Sequence, residues 1–250
     1  VHVANHDQIY KRMARGKNRL VAVSNYVKGM LHGRGVPDRF IDTVYNGTDF
    51  IDYDLSDGQA VRRELGIESE KKLIGIVGRV CAEKGHLIMV RAMKDIVREH
   101  PNAHLVLVGR IEESFKEAFA DEVKAQGLEN QITTTGVRND VARLLDAMEF
   151  TSMPSRQETF GIAAIESMAR RRPVIASRVG GLPEVVRHNQ SGLLVDLRPE
   201  SVAEAADYLL SNPSECQAMG EAGRIIVERK FTLRAMANQL TDVYQKAVCR

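Results

Sequence analysis

The 250-residue sequence predicts an α/β protein whose main sheet is parallel and covered by helices on both faces. Three observations lead there. After about residue 70, apolar runs of strand length alternate with amphipathic stretches of helical length. The runs are almost continuously apolar, as strands buried on both faces are, rather than alternating. The glycine-containing, charged segments between them follow the strand ends, at the edge where open α/β sheets bind ligands.

Strands are expected at Leu73 to Val77, Ala103 to Val108, Gln131 to Thr134, Phe150 to Met153, Val174 to Ser177 and Gly192 to Val195. Helices fit between them at about His86 to His100, Ser114 to Gln126, Asn139 to Ala147, Gly161 to Arg170 and Pro183 to Arg187. Three more close the chain: Pro199 to Leu210, Pro213 to Val227 and Leu233 to Ala247. The first segment is similar in style but shorter. Val1 to Ala4, Arg19 to Val23 and Asp42 to Tyr45 read as short strands, with helices at about Gln8 to Arg15 and Asn25 to His32, which is part of an α/β domain.

With 44% apolar and 27% charged residues of both signs, the composition is that of a globular protein, and no repeat or low-complexity tract interrupts it. The longest apolar runs are far short of a membrane span, and no stretch reads as a signal peptide. Cys81, Cys216 and Cys249 have neither pairing nor metal-ligand spacing, which fits a reducing cytoplasm. The net charge of +2 hides a basic amino terminus, with Lys11, Arg12, Arg15, Lys17 and Arg19 in one run. That run is too small for a nucleic-acid domain; it suits an anionic surface, either a phospholipid leaflet or a phosphorylated acceptor, or else is a solvated helix face.

Two segments carry chemistry. In Glu158-Thr159-Phe160-Gly161-Ile162-Ala163-Ala164-Ile165-Glu166, two carboxylates lie seven residues apart across a loop that becomes a helix. Ile162, Ile165, Met168 and Ala169 recur at helical spacing and are expected to face inward, with Glu166 beside them. The free N–H groups of such a helix start suit a phosphate. The plainer alternative makes Glu158 a helix-end charge and Glu166 an exposed helix residue. In the second segment, Gly78-Arg79-Val80-Cys81-Ala82-Glu83-Lys84-Gly85 follows a strand and precedes a helix. It is neither a dinucleotide fingerprint nor a P-loop, and its alternative is a βα loop with surface cations.

The first of these segments resembles the signature of retaining, nucleotide-sugar-dependent glycosyltransferases of family 4 (glycosyl transferases group 1), which have the GT-B fold of two facing Rossmann-like domains. The Gly-Arg and Lys-Gly pairs of the second match as well, and Tyr45-Asn46-Gly47-Thr48-Asp49 resembles the family's interdomain hinge. The resemblance implies a partial amino-terminal, acceptor-side domain with the hinge at 1–48 and a complete nucleotide-sugar-binding domain at 49–228. A last helix at 229–250 would cross back to the first domain. It also implies that Glu166 holds the donor's ribose and Glu158 the transferred sugar, while Arg79 and Lys84 clasp the diphosphate with Gly78, Phe160, Gly161 and Ile162 around it. Arg138, in Thr135-Gly136-Val137-Arg138-Asn139, stands where the family meets the nucleobase, with a solvated loop residue as the even alternative. His6 stands where the family places an active-site histidine. Gly180-Gly181-Leu182-Pro183-Glu184 matches a further family loop, read as structural.

One departure is Ala169-Arg170-Arg171-Arg172-Pro173, where three arginines replace a small turn and are expected to add a basic rim. The implied reaction moves a sugar from a nucleoside diphosphate to a glycan or lipid-linked acceptor in cell-envelope polysaccharide or lipopolysaccharide synthesis. It needs no cofactor or metal and is placed in the cytoplasm, with peripheral contact at the inner membrane's cytoplasmic face. Two rival readings are a non-catalytic or split-enzyme nucleotide-sugar-binding module and a sugar-nucleotide epimerase. The epimerase would need acid and base residues that the sequence does not display.

Overall fold

The computed structural model describes residues 7–16, 18–51, 54 and 57–248. Six parallel strands form the main sheet: β3 (Lys72–Val77), β4 (Ala103–Val108), β5 (Ile132–Gly136), β6 (Phe150–Met153), β7 (Val174–Ser177) and β8 (Gly192–Val195). Their spatial order is β5-β4-β3-β6-β7-β8, so the winding direction reverses between β3 and β6. The helices of this unit are α3 (Gly58–Glu64), α4 (His86–Glu99), α5 (Glu113–Gln126), α6 (Val141–Asp146), α7 (Ile162–Ala169), α8 (Leu182–Val185), α9 (Pro199–Ser211) and α10 (Pro213–Lys230).

The strand residues sort by their two-residue period. Ile74, Ile76, Leu105 and Leu107 meet Met89, Met93 and Ile96 of α4 and Val202 and Leu209 of α9. On the other face Leu73, Val106 and Val108 meet Val61 of α3 and Leu144 and Leu145 of α6. Met153, Val174 and Ala176 pack with Ile165 and Met168 of α7 and Val227 of α10. Each of the larger side chains is worth about 1.5–3 kcal/mol of burial, so the sheet is the rigid base from which its edge loops project.

A smaller unit precedes it. Strands β1 (Leu20–Ala22) and β2 (Ile41–Thr43) pair in parallel, with α1 (Asp7–Met13) and α2 (Asn25–Gly33) beside them. Val27 and Leu31 of α2 close onto Leu20, Ala22 and Ile41. The expected strand Val1 to Ala4 lies outside the described residues. The last helix, α11 (Leu233–Val248), returns to this unit: Gln239 Oε1 accepts the Tyr45 N–H at 3.3 Å, and Lys246 reaches Asp42 at 3.3 Å. The crossing chains lie together, with the Thr48 N–H donating to the Phe231 carbonyl at 2.8 Å and Thr48 bridging Thr232.

Two expectations change. Helix α3 was not anticipated, because Val61 is its one large apolar residue; the Asp57 carboxylate caps it, accepting from Gln59 N at 2.9 Å. The three arginines form no basic rim. Arg170 is fully buried, its guanidinium taking both Asp146 oxygens at 2.8 and 2.7 Å and the carbonyls of Phe50 and Asp54 at 2.8 Å each. Arg171 adopts the left-handed conformation (φ 57°) that ends α7 in place of the usual glycine, and Arg172 donates to the Asp146 carbonyl at 2.8 Å.

Candidate active site

The crevice outside the carboxyl ends of β3 and β6 is where the sheet's topology makes a ligand site. The loop after β3 enters it at Gly78, whose φ of 141° and empty side-chain position leave backbone open to an approaching group. A single 3-10 turn, Ala82–Lys84, then presents Lys84. Gly85, at φ 72°, lies against the Pro154 carbonyl, and a Cβ there would fall on that oxygen. The Arg156 N–H donates to the Glu83 carbonyl at 2.8 Å, so the loops after β3 and β6 are joined along their backbones.

That junction sets Lys84 and Glu158 face to face, Nζ to Oε2 at 2.6 Å, both largely screened from solvent. The other Glu158 oxygen accepts the Thr159 N–H at 3.1 Å. Beneath this turn, Gly181 N donates to the Glu158 carbonyl at 3.0 Å, and side chains at positions 180 or 181 would collide with the Glu158 and Thr159 carbonyls. Gly161, at φ 109°, turns the chain into α7, whose first turn no side chain caps. The N–H groups of that turn supply donors for an anion.

Glu166 lies half-buried one turn into α7, and burial, with Asp49 of the interdomain segment nearby, raises its pKa. Ile162 does not face inward: it is 49% exposed, because the buried stripe of α7 runs through Ala164, Ile165, Met168 and Ala169. Phe160 is buried, with its ring against Tyr45 (centroids 6.0 Å) and Phe231 (5.7 Å), so only its backbone is available to a ligand.

Two expected residues stand apart from the pair. Arg79, largely exposed, is ion-paired with Glu112 on the loop after β4. Arg138 is taken up by Asp140 (2.8 Å twice) and Glu64 (2.7 Å), which hold its pKa high, and Arg138 in turn depresses that of Asp140. His6 lies outside the described residues. The sequence reading, in which Ala22-Val23-Ser24-Asn25 resembles the family's last amino-terminal strand and turn, gave no site role to Ser24, which joins the smaller unit to the Glu158 loop, and treated Glu184 as part of a structural loop without its partners. Their contacts cross more than a hundred residues of chain, so no local pattern reveals them. It also overlooked that Cys81, Glu83 and Glu112 bring ligand atoms within 4.8 Å of one another. Burial raises the Cys81 thiol and Arg79 already pairs with Glu112, so this trio is satisfied as protonated thiol and ion-paired carboxylate.

A Rossmann-like domain of the GT-B type is the class this fold defines. Residues 57–225 match the family model described as Glycosyl transferases group 1, and the chain belongs to that family. D-inositol 3-phosphate glycosyltransferase of Segniliparus rotundus is 32% identical over 220 residues, 83% of this chain and 47% of that protein. N-acetyl-alpha-D-glucosaminyl L-malate synthase of Bacillus anthracis is 30% identical over 90% of this chain and 58% of its own. The Anabaena protein HepE, solved in complex with UDP-glucose, superposes with a TM-score of 0.88 at 22% identity, covering 96% of this chain and 67% of that one, which is a likeness of fold. The chain spans about half the length of the curated relatives it matches.

Proposed function

We propose that this chain carries the donor-binding half of a retaining, family 4-like glycosyltransferase, which moves a sugar from a nucleoside-diphosphate sugar to a glycan or lipid-linked acceptor in cell-envelope glycan synthesis. The observation that carries the reading is the meeting of Lys84 and Glu158 at the sheet's switch point, with α7 opening beside them. Glu166 takes the ribose hydroxyls, acceptor-only when ionised, and Glu158 takes hydroxyls of the sugar. Lys84, the α7 N–H groups and Arg79, once released from Glu112, neutralise the diphosphate as the glycosidic bond breaks. The acceptor oxygen attacks from the face the diphosphate leaves, keeping the anomeric configuration, and a phosphate oxygen takes its proton. Residues 1–48 form the acceptor-side part with the hinge, 49–228 the donor domain, and 229–250 the returning helix.

The reaction, in this reading, uses no cofactor or metal, so EDTA leaves nucleotide binding unchanged. A binding isotherm that collapses in EDTA and returns with magnesium would overturn this. The exposed Lys11, Arg12 and Arg15 of the amino-terminal unit, next to the exposed apolar Ile9 and Met13, support contact with an anionic membrane face. No helix among the described residues is long and apolar enough to cross a membrane. The test of the whole reading is calorimetry with UDP, GDP and their sugars, beside a product assay. Failure to bind any of them sinks it; binding without turnover in every acceptor tried assigns the chain to the non-catalytic or split-enzyme class.

A further inference from the structure

Glu158 sits in a turn clamped from two sides, and the two clamps belong to different units of the protein. From within the donor unit, Gly181 N holds the Glu158 carbonyl. From the smaller unit comes Ser24, fully buried at the start of α2. Its hydroxyl accepts the Val27 N–H at 3.1 Å, capping the helix, and spends its single proton on the Thr159 carbonyl at 2.6 Å. The residue next to Glu158 is therefore bonded to the N-terminus of α2.

Glu184 ties the same helix to the other side of the turn. Three residues past Gly181, its carboxylate takes the Asn25 and Tyr26 N–H groups at 2.8 Å each and the Tyr45 hydroxyl at 3.0 Å. Asn25 donates in turn to the Tyr45 oxygen at 2.8 Å. These are charge-assisted bonds to the positive end of a helix, the arrangement in which a carboxylate is held most firmly. A bond of 2.6 Å leaves little travel: a shift of α2 by about an ångström would break it or drag Thr159 along.

We infer that Ser24 and Glu184 are positioning residues, which orient the Glu158 carboxylate toward the transferred sugar according to where the amino-terminal unit stands. This rests on the donor-site reading given above. The nucleotide half of the donor is met, in that reading, by α7 and by Lys84 and Arg79, which take no part in the Ser24 and Glu184 bonds that tie α2 to the Glu158 turn. Movement of the smaller unit over the cleft thus changes the sugar subsite directly and reaches the nucleotide subsite only through Lys84, the partner of Glu158. The sugar is gripped in register with the wall that presents its acceptor.

The experiment measures, on the full chain, dissociation constants for UDP and for UDP-glucose, and follows their ratio. Ser24→Ala should change that ratio against the intact sugar nucleotide by about three- to tenfold, with no loss of UDP affinity. Ser24→Thr, which keeps the hydroxyl, should restore it. Glu184→Gln should shift the ratio in the same direction, and it carries the test if Ser24→Ala does not fold, as judged by thermal melting. An unchanged ratio in the folded variants overturns the inference, as does a parallel loss of UDP affinity, which would mean general loosening. A parent chain that binds neither UDP nor UDP-glucose, nor any other donor in the panel, sinks the donor-site reading and this inference with it. A parent that binds while its variants keep its ratio sinks the inference alone.

Discussion

The Lys84 ammonium and the Glu158 carboxylate touch at 2.6 Å, so each occupies the place a donor group would take from the other. Under the proposed function, sugar and diphosphate enter together and divide the pair between them. An ion pair this screened from water is broken easily only when both partners are compensated at once.

Glu158→Gln removes the competitor for Lys84. UDP should then bind up to about tenfold tighter, while the preference for the intact sugar nucleotide falls. Lys84→Met should weaken both. Calorimetry with UDP and UDP-glucose separates the cases, and a Glu158→Gln chain that loses affinity for UDP would contradict the competition.

Glu166→Ala should cost about 1.5–3 kcal/mol of nucleotide affinity, the range for hydrogen bonds to a charged group. The loss should vanish with a dideoxy-nucleoside diphosphate, which lacks the hydroxyls. Burial and Asp49 raise the Glu166 pKa, so its carboxylate stays protonated to higher pH than an ordinary glutamate. Nucleotide affinity is therefore full above that raised pKa and declines as pH falls through it. A flat pH profile in the parent would argue against contact with the ribose.

Arg170→Met should destabilise the fold by about 3–5 kcal/mol, because it takes from the buried Asp146 carboxylate the guanidinium that pairs with both its oxygens. Replacing both residues by apolar ones of similar volume should recover much of this. Urea unfolding of the single and double variants gives the comparison, and equal losses in both would mean that the charge is not the cause.

His86 and His104 are held neutral, with burial pushing each pKa down to about 4 from an unfolded value near 6.5. Below pH 6.5 the unfolded chain binds protons that the folded chain refuses. Stability at these sites is thus complete above about pH 6.5 and is lost as pH drops toward 4, at up to about 1.4 kcal/mol per pH unit for each proton, less for His104, the less deeply set of the two. Melting temperature from pH 7.5 to 4.5 reads this directly. His86→Phe should flatten part of the slope, and a slope unaltered by it would assign the acid sensitivity elsewhere.

The strands were readable because burial on both faces writes them as unbroken apolar runs, and β6, β7 and β8 fall where those runs do. Helix α3 was not, since it contributes one large side chain, Val61, to the core and turns arginines to the solvent and to carbonyls. Arg170 defeats composition-based reasoning for a related reason: arginine reads as surface, and the partner that makes its burial tolerable lies 24 positions away. Ile162 shows the limit of helical periodicity, which fixes spacing along α7 but not which edge of the stripe meets the core. The Glu158 and Lys84 loops were identified by their family likeness. Their contact, across 74 positions, needed the crossover of the sheet to become visible.

Arg170 has a consequence for motion. It grips the carbonyls of Phe50 and Asp54, while Arg224 on α10 takes that of Ile51 at 2.9 Å, so Phe50, Ile51 and Asp54 are fastened to the larger unit. The return crossing is strapped beside it where Thr48 meets Phe231 and Thr232. Two parallel straps fastened at one line resist swivelling and permit bending about that line. Under the proposed function, bending about that line would carry α2, and the serine at its tip, toward or away from the sugar subsite.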